Sequence, residues 1–310
     1  MGVVSYNAKM VVRLVVKRSP YFHLALREIE EFRGLDEYEQ QAEQLRLLEE
    51  MLDKAAEVRW YSKALEASRR IDNPIERLKR LGLVTKEEVR RDPRGFRRRG
   101  LMAIPAYTSG TTGTPLKLWR DMYSVAREEA GFFWWYAEHG HVGREMMGVL
   151  RGDLVVPVAR RVPPFGVPDV IFNRYVFSSQ HLSDETIPWY VGEIRDKEVR
   201  TLAAYPSSAY VLADYLRRRG LEPLKLRAVF LASETVTEWQ REVIERYLGP
   251  VHAHYGNAER VAWMTTCAAG YYHEDRQYGL VEYMPIGDGM YEIVASGLTN
   301  GAMPLLRYRT

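Results

Sequence analysis

The sequence predicts an α/β protein, mostly parallel sheets flanked by helices with a β-rich C-terminal portion, and three stretches carry that expectation. Between residues 199 and 256, short apolar runs alternate with helix-type segments over short connections, as in a parallel sheet covered by helices. From about Leu24 to Ala67 the chain is rich in Glu, Gln, Leu, Arg and Ala, a helical composition. Beyond Tyr278, two alternating runs flank a turn containing proline and glycine, which predicts a β-hairpin.

Taken in order, the helical segment shows Leu47, Leu48, Met51 and Leu52 at helical spacing with charges between them. Asp72-Asn73-Pro74 and Arg91-Asp92-Pro93 punctuate the route to residue 100. The expected organisation is a helical N-terminal segment over 1–100, packed on an α/β core over 101–310. Phe132 to Tyr136, five aromatics in succession, read as core or as the wall of a pocket for an aryl acid, with Tyr205 and Trp263 open to the same two readings. Val156–Pro168 reads as a loop and Val170–Val176 as a strand.

The most legible region begins with Val199–Ala204, a short buried strand. Pro206-Ser207-Ser208 opens a helix that runs through Arg219 and is closed by Gly220. Leu226–Ala232 is the next strand. Thr235 or Thr237 caps a helix carrying Trp239, Val243, Ile244 and Tyr247, and Val251–Tyr255 is the third strand. Ligands of such sheets sit at the carboxyl ends of strands, which singles out Ala204–Ser208, Ala232–Thr235 and Tyr255–Glu259. Tyr278–Tyr283 and Met290–Val294 form the hairpin, joined across Pro285–Gly289.

Bulk properties exclude several classes. A chain of 310 residues with 46% apolar and 27% charged residues is ordinary for a globular protein with a sizeable core. A formal charge of +3 argues against a nucleic-acid partner, and the basic run Arg90–Arg99 reads as a solvated linker. Met10–Val16, split by Arg13, is far too short for a membrane span and fits a signal peptide poorly. The single cysteine, Cys267, forbids an intramolecular disulfide and favours a reducing compartment, so the expected location is the cytoplasm. Oligomeric state stays open at this point; the long N-terminal helical segment could pack against a partner, a homodimer being one such arrangement.

Residues 107–115 read Tyr-Thr-Ser-Gly-Thr-Thr-Gly-Thr-Pro, followed by Leu116 and Lys117. Dense glycines and hydroxyls suit backbone N–H and Ser/Thr groups converging on phosphate oxygens. The stretch is not a Walker loop, because Pro115 stands where its second glycine should be. Composition alone leaves phosphate cradle and ordinary turn both open.

Three motifs in order resolve that choice through a resemblance. Thr108–Pro115 resembles the Ser/Thr/Gly-rich phosphate loop of the adenylate-forming superfamily of acyl-CoA ligases and synthetases. Tyr255-Gly256-Asn257-Ala258-Glu259 resembles its Tyr-Gly-x-x-Glu motif, and Tyr308-Arg309-Thr310 the start of its Tyr-Arg-Thr-Gly-Asp motif. With Gly270-Tyr271-Tyr272-His273 and Tyr278–Glu282, the chain is most similar to the CapK-like branch, related to phenylacetate-CoA ligases. The resemblance covers roughly 100–310 and implies the N-terminal core of such an enzyme.

It also implies roles. Thr108, Ser109, Gly110, Thr111, Thr112 and Gly113, assisted by Lys117, would hold the β- and γ-phosphates of ATP while an acyl carboxylate attacks the α-phosphorus. Ser233, Glu234 and Thr235 would cup adenine, Tyr255 with Gly256 would stack on it, and Glu259 would hold Mg²⁺. Thr111 and Glu259 are the catalytic candidates. Pro206, Ser207 and Tyr210 would line an acyl pocket, with His181 as its gate. The alternatives are an ordinary surface lysine at Lys117 and an ordinary core histidine at His181.

Cys267 and His273, with Glu282 and His252 or His254, are a candidate zinc set, although their spacing matches no compact zinc signature and a buried thiol beside a hydrogen-bonded histidine is the competing reading. The sequence stops before the Gly-Asp expected after Thr310 and before the mobile C-terminal lid domain that the resemblance implies. The expected activity is therefore ATP-dependent formation of acyl-AMP, with transfer to CoA or another acceptor in the complete enzyme, and with weak nucleotide binding at most and severely reduced adenylation in this form. Two alternatives stand beside it: adenylyl transfer without thioester formation, and a catalytically silent nucleotide-binding or assembly protein of polysaccharide biosynthesis.

Overall fold

The structure is a computed structural model describing residues 3–108, 115–267 and 269–310. Its strands are β1 (Ile104–Tyr107), β2 (Lys117–Arg120), β3 (Met147–Arg151), β4 (Gly166–Asp169), β5 (Arg174–Ser178), β6 (Thr201–Ala204) and β7 (Ala228–Ala232). Then follow β8 (Val251–Gly256), β9 (Trp263–Thr266), β10 (Tyr272–Glu274), β11 (Gly279–Gly287), β12 (Met290–Gly297) and β13 (Tyr308–Arg309). The chain divides into two compact units. The first takes Met1–Arg18, Phe132–His254 and Thr265–Tyr272; the second takes Ser19–Gly131, Tyr255–Met264 and His273–Thr310.

The eight-stranded sheet has the order β10-β9-β8-β7-β6-β3-β5-β4 and contains a parallel run from β5 to β8. The strands β6 and β7 are buried at every position because helices cover a parallel sheet, which is why they read as unbroken apolar runs. Helix Pro206–Arg218 connects β6 to β7, and helix Glu238–Tyr247 connects β7 to β8. The cap of the second is Thr237, whose side chain and Gln240 form a capping box. It is closed at Gly249, where φ is +151° and an added Cβ would lie 2.2 Å from the Leu226 carbonyl oxygen.

One strand expectation is corrected. Val170–Val176 is not continuous: β4 and β5 pair antiparallel around a turn at 170–173. The Asp169 carboxylate accepts hydrogen bonds from the Ile171 and Phe172 amides, and Asn173 takes a positive φ, so the local chemistry bends the chain. The aromatic block lies on helix Met122–Glu138. Trp135 is buried against Phe230, while Phe133 is exposed.

The second unit holds the helices Pro20–Gly34, Glu37–Ala56, Ser62–Ala67, Pro74–Lys79 and Lys86–Arg91, so the N-terminal helical stretch is broken into several pieces. Ser19, Asp36, Asn73 and Thr85 cap four of them. Leu48, Met51 and Leu52 pack into one core with Trp119, Met264, Leu306 and Tyr308. The hairpin of β11 and β12 is longer than the sequence predicts, with a bulge between Pro285 and Gly287 and a two-residue turn at Asp288-Gly289. Both turn residues have positive φ, which an Asp-Gly pair supplies at low cost. The edge strand β13 pairs with β12.

The basic run is partly absorbed by ion pairs: Arg90 with Glu87, Arg98 with Glu57, and Asp92 within the run with Arg59. No helix among the described residues is long and apolar enough to cross a membrane.

Candidate active site

In the second unit, the Tyr255–Glu259 motif leaves the end of β8 as a turn. Asn257 fixes it: its carbonyl accepts the Arg260 amide at 3.1 Å, and its Oδ1 accepts the Val261 amide at 3.1 Å. Arg260 then takes φ +60°. Its buried guanidinium donates to the Ser124 carbonyl and lies 3.5 Å from the Glu128 carboxylate. Arg120 donates to the Ala258 carbonyl at 2.6 Å. Beneath the motif, two glycines permit close backbone approach. A Cβ at Gly279 would lie 2.2 Å from the Val261 carbonyl oxygen, and one at Gly297 would lie 2.7 Å from that of Arg260.

The chain's last strand meets this turn. Tyr308 donates through its hydroxyl to Glu259 Oε1 at 2.8 Å, and Tyr255 donates to Thr310 Oγ1 at 2.6 Å. Burial, then the charge of Glu259, pushes the Tyr308 phenol well above its ordinary range, so it stays a donor. Val84 joins β13 from the other side, its amide donating to Arg307 and its carbonyl accepting from Arg309, each at 2.9 Å.

These contacts enclose a cavity of about 590 Å³, within the range of small-molecule sites. Tyr255, Gly256, Asn257, Glu259, Tyr308, Arg309 and Thr310 line it together with Thr85, Lys86 and Glu87. The last three were missed by sequence reasoning, because no local pattern announces that the turn after Val84 lies against β13. Lys86 makes no hydrogen bond or ion pair among the described residues, which leaves its ammonium available to a ligand. Asn257 Nδ2 is buried without a hydrogen-bond partner, a second donor with nothing to donate to.

Of the phosphate-loop residues, Ser109, Gly110, Thr111, Thr112 and Gly113 lie outside the described residues. Thr108 is buried, and its backbone and hydroxyl both bond Leu116, closing the base of the loop. Lys117 opens β2 with its ammonium 5.2 Å from the centre of the Trp119 ring.

The remaining candidates belong to the first unit. Ser233, Glu234 and Thr235 are exposed after β7, and Ser233 holds φ +74°, a conformation that non-glycine residues rarely adopt. Glu234 accepts from the Ser207 amide at 2.9 Å and from its hydroxyl at 3.0 Å, so it caps the helix that Pro206 begins. Pro206 is buried, and Tyr210 packs edge-on against Trp239. His181 is buried against Phe165, with Nδ1 2.8 Å from Ser178 Oγ and Nε2 unpartnered.

The zinc set is corrected. Among the described residues no three His, Cys, Asp or Glu side chains gather to hold a metal ion. Glu282 is engaged by the Arg307 guanidinium at 2.9 and 3.0 Å, and His252 stacks on His139 at 3.9 Å between ring centres. His273 is exposed on β10.

The fold is that of the adenylate-forming acyl-CoA ligases. Solved structures of a 2-hydroxyisobutyryl-CoA ligase share it. One in the postadenylation state aligns with a TM-score of 0.59 at 12% identity, covering 89% of this chain and 63% of that one. Another, an open conformation in complex with 2-HIB-AMP and CoA, aligns with a TM-score of 0.57 at 14% identity, over 86% of this chain and 67% of that one. In sequence, the chain is similar to Protein CapK of Staphylococcus aureus, 24% identical over 242 residues, or 76% of this chain. It spans about half, 53%, of that relative's length. No family model matches the chain.

Proposed function

We propose that the chain binds Mg·ATP, activates a carboxylic acid as its acyl-AMP, and serves transfer of the acyl group to CoA or another acceptor. The observation that carries this reading is the convergence of Tyr255, Glu259 and Tyr308–Thr310 on one cavity in the second unit. Two motifs far apart in the sequence meet there through direct hydrogen bonds.

In this reading the Tyr255 ring stacks on adenine, and Ser233, Glu234 and Thr235 keep the adenine-loop role of the resemblance. Asn257 Nδ2 gains the acceptor it lacks, from a ribose hydroxyl or a phosphate oxygen. Lys86 supplies a positive charge to the phosphates, alongside the loop 108–113. Glu259 is the Mg²⁺ ligand, its carboxylate oriented by Tyr308. Mg²⁺, when bound, offsets the negative charge of the phosphate oxygens. The acid's carboxylate oxygen attacks the α-phosphorus, the bond to the β-phosphate bridging oxygen breaks, and pyrophosphate leaves with that electron pair. The protein's contribution is position and charge rather than covalent chemistry.

The test is incubation with ATP, Mg²⁺ and a panel of carboxylic acids, read as pyrophosphate release and as trapping of the activated acyl group by hydroxylamine. Acid-dependent release that falls in Glu259→Ala supports the proposal. ATP binding with no acid-dependent release across the panel would instead identify a nucleotide-binding protein.

A further inference from the structure

Helix Val3–Lys17, in the first unit, is apolar at ten of its 15 positions and carries no carboxylate. A surface helix ordinarily confines its apolar residues to one stripe. This one does not. Tyr6 and Val16 are buried, and Tyr6 shares a core with Val155, Val156 and Val167. Val11 and Val15, one turn apart on the side away from Tyr6, are 50% and 61% exposed. Asn7 fastens the helix to the sheet edge: its Nδ2 donates to the Pro168 carbonyl at 3.0 Å, and its Oδ1 accepts from the Val170 amide at 3.2 Å. Val170 is itself 74% exposed.

The segment leading into the edge strand β4 continues the pattern. Leu154, Val158 and Val162 are exposed along it, with Arg161 exposed beside Val162. Neither Arg160 nor Arg161 forms an ion pair among the described residues, and the same holds for exposed Arg18. Charge here is mostly of one sign. Residues 1–18 and 152–174 together hold seven Lys or Arg against two carboxylates, Asp153 and Asp169. Asp169 is buried against Arg174. Arg13, Lys17 and Arg174 all approach the Phe172 ring, 5.9, 5.0 and 5.0 Å from its centre, which concentrates positive charge along this edge.

We propose that this edge of the first unit docks on an anionic membrane surface. Val11, Val15, Val158 and Val162 enter the headgroup boundary, and Arg18, Arg160 and Arg161 meet lipid phosphates. Scattered aliphatic side chains give a protein partner no pocket to fill, whereas a bilayer interface accepts them in any arrangement and attracts cations when its lipids are anionic. A 15-residue helix, about 22 Å long, is suited to lying along such a surface. The contact is peripheral, and it is independent of the acid-activating reading.

The test is co-sedimentation of the chain with vesicles of phosphatidylcholine alone and of an equal mixture with phosphatidylglycerol. Binding about tenfold or more tighter to the anionic vesicles, weakened by salt, is expected. Arg160→Gln with Arg161→Gln should weaken it about fivefold or more, and Val11→Glu with Val15→Glu should abolish it with an unchanged circular dichroism spectrum. No binding, equal binding to both vesicles, or binding that survives either pair of substitutions overturns the inference. The arginine pair changes loop side chains alone, so it remains decisive if the helix variant fails to fold. Sedimentation velocity without lipid examines the other occupant: a dimer that dissociates in the Val11 and Val15 variant would overturn the inference and give this face to a second copy.

Discussion

The Tyr308 hydroxyl donates to Glu259 Oε1 at 2.8 Å, tying together residues 49 positions apart in a buried pair. The phenol cannot ionise there, since burial and the neighbouring carboxylate both oppose it. Tyr308→Phe removes the donor and leaves the Glu259 carboxylate without it. Stability should fall by about 1–3 kcal/mol, the cost of an unsatisfied buried group, measured by urea unfolding. An unchanged midpoint would show that the pair does not matter to the fold.

Lys86 has a different expected signature, because its side chain is half-exposed and makes no internal bond. Lys86→Ala should weaken Mg·ATP binding about three- to tenfold, the range of a partly screened charge-assisted hydrogen bond, and leave the melting temperature unchanged. Calorimetry with ATP and with AMP separates the phosphates it serves. A loss equal for both ligands would place Lys86 away from the terminal phosphates.

Gly279 tests the support beneath the Tyr255–Glu259 turn. A Cβ 2.2 Å from the Val261 carbonyl oxygen can only be accommodated by moving backbone. Gly279→Ala should destabilise by about 1–3 kcal/mol, as overpacking does, and also reduce ATP affinity by displacing Glu259. Full stability in a melting experiment would contradict the close approach.

The first unit should carry a pH signature from His252. Burial first, then His139 and Arg241, depresses its pKa from 6.5 to about 4. In that window the unfolded chain binds the proton and the folded chain does not, so stability rises with pH from about 4 to 6.5 and is lost as pH falls through it. Urea midpoints measured across this range should drop on acidification, and His252→Phe should flatten that part of the slope. A variant with the same slope would exonerate His252.

The parallel sheet was legible because β6 and β7 are buried on both faces, β8 is partly buried and their connections are short, so apolar runs and caps suffice to find them. The hairpin was legible by alternation, though its turn was placed too broadly, because a bulge at Pro285–Gly287 lets the strand continue past proline. The β4–β5 turn was missed because Asp169 and Asn173 bend an otherwise strand-like run. At the site, Tyr255, Glu259 and Tyr308 were readable from motif spacing. Thr85, Lys86 and Glu87 were not, since a backbone bridge from Val84 to Tyr308 places them and leaves no trace in local pattern.

The most direct test of the central claim is calorimetric titration of the 310-residue chain with Mg·ATP, beside Glu259→Ala and Thr111→Ala variants shown to be folded by circular dichroism. Measurable binding is expected in the parent chain and should weaken in both variants, with Glu259→Ala losing its dependence on Mg²⁺. Binding of equal strength in all three, with the same Mg²⁺ dependence, would contradict it and place the nucleotide elsewhere.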